Sequence, residues 1–233
     1  MAMRWSDLLF AHWPIDAQVL RATLPGALRP HLDTFEGQAW LGVVPFMMSR
    51  VRGVLGPAEL PAVPGLSRFP ELNLRTYVNV NGVPGVWFFS LDAQHKLAVR
   101  TARLTFGLPY FDADMRCTTH DNGRTDYRST RTHRGVPGAE FDATYESAGD
   151  AFETTPGMLE HFLTARYCLF AQRRGRLLRG DILHDPWRLR PAAWDVRRCD
   201  MTRLLGVPLP NVSPHLLYAE PLDVWAWWPR SAG

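Results

Sequence analysis

The sequence predicts a mainly β (α+β) domain: a closed or strongly curved antiparallel sheet, a β-barrel, with a few peripheral helices. Three observations carry this. Ten segments are rich in Val, Trp, Tyr, Phe and Thr, which suit a pleated, half-buried surface: 39–48, 72–80, 86–91, 115–120, 125–133, 140–145, 167–172, 177–183, 187–196 and 216–228. Asn81-Gly82 and Asn122-Gly123 sit between such segments, and both residues of an Asn-Gly pair tolerate the positive φ of a tight hairpin. Only three segments read as helical. Many strands with few helices favour a sheet that curls on itself.

The helices are read from their ends. Residues 16–24 follow Pro14, offer Asp16 as a cap and stop at Pro25-Gly26. Residues 92–106 start with Asp92 as a cap and carry Ala98, Ala102 and Phe106 on one face. Residues 155–166 have Thr155 as a cap, Pro156 at the first helical position, and Leu159, Phe162 and Leu163 inward. No repeat, low-complexity tract or long linker divides the chain, so residues 1–233 read as one domain. The stretch 53–65, GVLGPAELPAVPG, reads as a surface loop placed to act as a lid.

Composition narrows the partners. With 46% apolar and 21% charged residues the chain is globular and not disordered. The formal net charge is +3, and the densest basic cluster (Arg173, Arg174, Arg176, Arg179) spans a hairpin turn. A nucleic-acid footprint needs a basic face, so no nucleic-acid partner is expected. Lys96 is the single lysine. Arginine stays protonated and cannot act as an amine nucleophile, so any such role would fall to that residue. Lys96 itself lies on a polar Gln94-His95-Lys96 segment near a helix start, which reads as surface.

Cys117, Cys168 and Cys199 are odd in number and show no paired spacing, which argues against disulfides and zinc and fits a reducing compartment. Residues 1–14 read as neither a signal peptide nor a membrane span. A cytoplasmic protein without a membrane partner is the expectation. His12, His184, Asp185 and His215 are metal ligands by type only, without ligand spacing, so neither a metal nor a cofactor is expected. Signatures of the common hydrolases, kinases, NTPases and dehydrogenases are missing.

The most informative segment is 69–78, Phe-Pro-Glu-Leu-Asn-Leu-Arg-Thr-Tyr-Val. Side chains alternate along a strand, so Glu71, Asn73, Arg75 and Tyr77 share one face and Leu72, Leu74, Thr76 and Val78 the other. The polar face is either solvated or the lining of a cavity. The apolar run 85–91 that follows suggests a buried sheet. Tyr110, after a Gly-x-Pro turn, could project into a barrel mouth. Arg103, Arg166 and Tyr167 are weaker candidates. His184 could be a general base but has no fixed partner in sequence.

At this point the residues resemble a known family. Segments 5–14, 39–46, 69–78, 87–92, 108–110 and 166–167 look like the YqjF-like family of bacterial proteins, placed in the acetoacetate-decarboxylase-like superfamily. The resemblance implies a cone-shaped, highly curved barrel with a ligand cavity inside. True decarboxylases carry a Gly-x-Pro-Lys-Lys turn whose first lysine forms a Schiff base and whose second lowers its neighbour's pKa. Here the turn reads Gly107-Leu-Pro-Tyr110-Phe111, so both lysines are absent and Schiff-base decarboxylation is disfavoured. The superfamily's pocket glutamate corresponds by resemblance to Glu71. The expectation is a small-molecule-binding barrel for a carboxylate or keto ligand. Arg75 would hold the carboxylate, Glu71 would act as acid/base and Tyr110 as a hydrogen-bond donor, with Asn73, Tyr77, Arg103, Arg166 and Tyr167 around them. If it is an enzyme, the chemistry is of lyase, isomerase or hydrolase type. A non-catalytic ligand-binding or sensory domain is the rival, and a structural role with the polar face as an oligomer contact is the third reading. The large assemblies of the decarboxylases leave a homo-oligomer open.

Overall fold

The computed structural model describes residues 1–55, 58–59, 67–94 and 107–232. The strands are β1 (Ala2–Ser6), β2 (Leu8–Ile15), β3 (Ala39–Arg52), β4 (Val54–Leu55), β5 (Ala58–Glu59), β6 (Arg68–Val80), β7 (Val83–Ala93), β8 (Tyr110–Thr119), β9 (Thr125–Arg131), β10 (Glu140–Ser147), β11 (Phe152–Glu153), β12 (Cys168–Arg173), β13 (Arg176–Leu183), β14 (Arg188–Cys199), β15 (His215–Ala219), β16 (Leu222–Ala226) and β17 (Arg230–Ser231). Among the described residues two helices, α1 (Ala17–Thr23) and α2 (Leu159–Thr164), and two 3₁₀ turns accompany them.

The sheet closes on itself twice. Following hydrogen-bonded neighbours, β1-β16-β13-β12-β7-β6-β3 returns to β1 and makes a ring of seven strands. The path β7-β6-β3-β2-β15-β14-β10-β9-β8 returns to β7 and makes a ring of nine. The two rings share β3, β6 and β7. The curved, ring-closed β architecture expected from the sequence is present. It is antiparallel except where β7 meets β12 (Leu169 opposite Val86) and β8 (Leu91 opposite Tyr110) in parallel.

The large ring holds the main apolar core. Leu9, Leu41, Val43, Leu72, Leu74 and Phe141 belong to its apolar cluster and are fully buried. The small ring holds a second cluster, Met3, Leu8, Phe10, Phe46 and Trp187 among others, arranged around a cavity.

Local chemistry explains most elements. Asn81 and Gly82 take φ of 54° and 81°, which gives the two-residue turn joining β6 to β7. Arg174 and Gly175 do the same between β12 and β13, so the arginine cluster does flank a hairpin. Asn122-Gly123 also lies in a hairpin, but the loop spans 120–124, with positive φ only at Gly123. Asp16 caps α1 by accepting from the amides of Gln18 and Val19.

Four readings need correction. The helix expected at 155–166 is shorter, because Gly157 has φ of 97°, outside helical space; Thr155 and Pro156 form a turn and α2 starts at Leu159. Of the helix expected over 92–106, Asp92 and Ala93 instead end β7, and the remainder lies outside the described residues, as does Lys96. The strand expected at 216–228 breaks at Pro221, which has no amide hydrogen, into β15 in the large ring and β16 in the small one. Finally, β1 and β2 were not expected as strands: Leu8–Ile15 is buried almost throughout, so it lacks the alternation that marks a one-faced strand. Most of the proposed lid at 53–65 lies outside the described residues; within it, β4 and β5 pair with each other. No helix among the described residues is long and apolar enough to cross a membrane.

A buried ion pair ties the sheet inside the large ring. Arg131 on β9 donates through Nη2 to Asp92 at 2.7 Å and to Ser90 at 3.0 Å, both on β7, and through Nε to both Asp92 oxygens. Both charged side chains are fully buried, and the guanidinium lies 4.8 Å from the centre of the Phe111 ring. Burial pushes Asp92 up to about 6 despite Arg131. Removing one partner strands the other charge. Arg131→Met is therefore expected to lower unfolding free energy in urea by about 3–5 kcal/mol, with Arg131→Met/Asp92→Leu recovering most of the loss.

Candidate functional site

The polar face of β6 points into the small ring. Glu71, Asn73 and Arg75 line a cavity of about 160 Å³ together with Tyr110 and Arg166. Leu72, Leu74 and Val78, from the other face of the same strand, are buried in the large-ring core. The remaining wall is largely apolar, with Trp5, Phe10, Phe46 and Trp187 among its aromatic members.

Glu71 is 3% exposed. Its backbone carbonyl accepts from the Tyr127 hydroxyl at 2.7 Å, which fastens β6 to β9 across the large core. Its carboxyl accepts from the Tyr110 hydroxyl at 3.0 Å. Hydrogen bonds from Tyr110 and Asn73 favour the charged form, but burial outweighs them and pushes the carboxyl up to about 8. Glu71 is thus a protonated acid at neutral pH. Burial and the neighbouring Glu71 drive the Tyr110 phenol well above its ordinary value. The Gly107-Leu-Pro turn delivers Tyr110 to this position, where its strand joins β7 opposite Leu91. Tyr110 therefore reaches the glutamate from the Gly107-Leu-Pro turn. Phe111, the next residue, packs on Arg131.

Arg75 extends over the Phe10 ring at 5.0 Å. Its Nη2 donates to the Tyr77 hydroxyl at 3.2 Å and to the Leu163 carbonyl at 3.1 Å. No carboxylate pairs with it among the described residues, and its buried Nε has no hydrogen-bond partner. Asn73 Oδ1 and Trp5 Nε1, on the same cavity, are likewise buried without a partner. Such orphaned groups are costly in an apolar interior and call for an explanation.

The other expected residues stand in four different places. Tyr77 is fully buried behind the cavity; its hydroxyl meets Arg75 and, at 2.5 Å, His12 Nε2. A Cβ at Gly42 would stand 2.8 Å from His12 Nε2, so this packing requires glycine on β3. His12 is held well below the ordinary histidine value by burial first, then by Arg75 and His215. Arg166 borders the cavity but is committed to Asp33 at 2.6 Å and to the Phe162 carbonyl at 2.7 Å. Tyr167 is partly exposed and packs against His184 rather than lining the cavity. Arg103 lies outside the described residues.

Sequence reasoning reached the remaining wall only at the 180–187 segment, which carries His184 and Trp187. Trp5, Phe10, Phe46 and Trp187 meet there from β1, β2, β3 and the turn before β14, with Trp5 and Trp187 stacked at 6.1 Å. His184 joins them. The density of tryptophan at both chain ends was the available signal, but nothing local said that those ends would meet.

Comparison with known proteins places this geometry. A family model for the DUF2071 family, described as an uncharacterized conserved protein (COG2071), matches residues 2–223. The chain belongs to this family. The uncharacterized protein YqjF of Bacillus subtilis (strain 168) is 44% identical over 228 residues, covering 97% of this chain and 90% of that protein. Among solved structures, the enduracididine biosynthesis enzyme MppR with HEPES buffer bound superposes with a TM-score of 0.67 at 12% identity, covering 100% of this chain and 87% of that one. MppR complexed with pyruvate gives 0.65 at 12% identity, covering 100% and 90%. The acetoacetate decarboxylase of Legionella pneumophila gives 0.58 at 12% identity, covering 100% and 88%. The fold is acetoacetate-decarboxylase-like. Family members sharing Glu71 and Tyr110 would share the buried acid described above.

Because the folded protein holds the Glu71 proton more tightly than the unfolded chain, stability falls as pH rises from about 4.5 towards about 8. At about 1.4 kcal/mol per pKa unit the loss amounts to several kcal/mol. Glu71→Gln is expected to remove this slope, so that the variant gains on the wild type between pH 5 and pH 8.5 in urea titrations; parallel curves would refute the protonated acid.

Proposed function

We propose that the chain binds a small oxo- or carboxylate compound in the small-ring cavity and that Glu71, with Tyr110, supplies acid/base chemistry there. The observation that carries this reading is Arg75. A guanidinium among apolar walls, with no carboxylate partner among the described residues and with Nε unpartnered, favours an anion from outside the chain. A protonated Glu71 on the same cavity can donate to a carbonyl or hydroxyl oxygen without adding a negative charge. The pyruvate complex of MppR, on the same fold, supports the ligand class. Tyr110 at the lysine position supports chemistry without a covalent amine, of lyase, isomerase or hydrolase type.

The test uses the cavity's own tryptophans. Quenching on titration with pyruvate, and with bulkier oxo acids, reports affinity. Arg75→Met is expected to weaken binding roughly 10- to 100-fold, the loss of about 1.5–3 kcal/mol for a hydrogen bond to a charged group. Glu71→Gln is expected to keep affinity within about threefold while abolishing enzyme-dependent proton exchange on the ligand. Binding that survives in both variants with no exchange in the wild type identifies the non-catalytic ligand-binding domain instead. Failure of every oxo acid and carboxylate to bind overturns the reading.

A further inference from the structure

A second titratable group lines the cavity that holds Glu71. In the seven-strand ring, two strands separate β13 from β6 in one direction and three in the other. His184 immediately follows β13, is 5% exposed and lines the cavity. Its Nδ1 lies 2.7 Å from the backbone carbonyl of Asp185. A carbonyl only accepts, so Nδ1 carries a hydrogen and the neutral ring has its lone pair on Nε2. Nε2 has no hydrogen-bond partner among the described residues and is not one of the sealed, orphaned atoms.

Packing fixes the ring as firmly as the hydrogen bond does. Trp187 and Tyr167 lie against it with ring centres at 4.8 Å, and Trp5 stands at 6.3 Å. Trp187 is itself anchored by its Nε1 donating to the Thr164 carbonyl at 3.0 Å. The titratable and charged groups near the imidazole are the Asp185 carboxylate, the Tyr167 phenol, and Asp181, Arg166 and the Met1 amino terminus on the same cavity. Asp185 favours the charged imidazole, but burial is the larger effect and holds His184 below the ordinary histidine value. A neutral acid and a neutral base therefore line the same cavity at neutral pH.

The cavity's lining selects the ligand. An apolar cavity of about 150 Å³ is large enough to hold benzene, and the lining of this one includes Trp5, Phe10, Phe46 and Trp187. We propose that His184 is the general base of the cavity, taking a proton through Nε2 from the carbon next to the carbonyl of an oxo acid with a branched-alkyl or aryl body. The C–H bond breaks and its electron pair forms the C=C bond. The carbonyl π pair takes the proton of Glu71, giving the enol, an imidazolium and a carboxylate. Returning the protons in reverse, after exchange with solvent, releases the oxo acid with solvent hydrogen at that carbon. The inference rests on the oxo-acid reading of the site above.

The experiment uses 4-methyl-2-oxopentanoate as probe and two readouts. In full-length protein carrying ¹⁵N-labelled histidine, His184 is expected as the neutral Nδ1–H tautomer at pH 7, assigned by loss of its signals in His184→Gln. In D₂O, the wild type is expected to exchange the probe's C3 hydrogens, with a rate that falls on the acid side as His184 protonates. His184→Gln is expected to slow exchange at least tenfold, with probe affinity by tryptophan quenching kept within about threefold, as suits loss of a general base. An Nε2–H tautomer, or undiminished exchange in His184→Gln, overturns the assignment of His184 while leaving the binding site intact. A wild type that fails to bind any oxo acid overturns the oxo-acid reading, and this inference with it.

Discussion

One strand walls two interiors, and that constraint governs the molecule. β6 belongs to both rings, so neither of its faces meets solvent. Its alternation must place Leu72, Leu74 and Val78 in a dry core and Glu71, Asn73 and Arg75 in a cavity at the same time. A slip of one residue would exchange the two sets and bury an arginine, an asparagine and a glutamate among leucines. Register is pinned from both sides: nine consecutive partners along β3, and β7 with one irregularity, where Leu74 faces Ser90 and Arg75 faces Phe88. That skip re-aims the strand at the point where Arg75 enters the cavity. Tyr127 then ties the Glu71 carbonyl from the far core, so the acid stands on backbone held from behind.

The two interiors handle polarity differently. In the large ring, Arg131 and Asp92 neutralise each other and recruit Ser90, so a buried charge is met by its own counter-charge. In the small ring Arg75 has a phenol, a carbonyl and an aromatic face instead. Glu71, on the same strand face, is kept neutral by burial in the same cavity. Low dielectric thus separates an unpaired cation from an uncharged acid within one cavity, where pairing them would give an inert salt bridge. This is the arrangement in which a polar interior serves a ligand rather than the fold.

The fold is acetoacetate-decarboxylase-like, and the Gly107-Leu-Pro turn of this chain is followed by Tyr110 and Phe111. The turn leads into β8, where Tyr110 donates a hydrogen bond to Glu71 and Phe111 packs on Arg131. Fold alone does not fix the chemistry; the side chains on it do.

Much of this was legible in the chain. Alternation in 69–78 fixed which residues share a face, because a strand has a period of two. The Asn81-Gly82 and Arg174-Gly175 turns and the Asp16 cap follow from local conformational preference. The absence of lysine from the turn is a fact of composition. What the sequence could not decide was whether the polar face of β6 met water or a cavity, since both leave the same pattern. It also could not bring Trp5, from the first strand, against His184 and Trp187, from after β13. Those contacts depend on ring closure, in which β1 finds β3 and β16 over long separations. Local periodicity carries no record of such pairings. The sequence by itself determined the alternation, the turns and the missing amine; only the tertiary structure decided what the polar face encloses, because enclosure is a property of strands far apart in the chain.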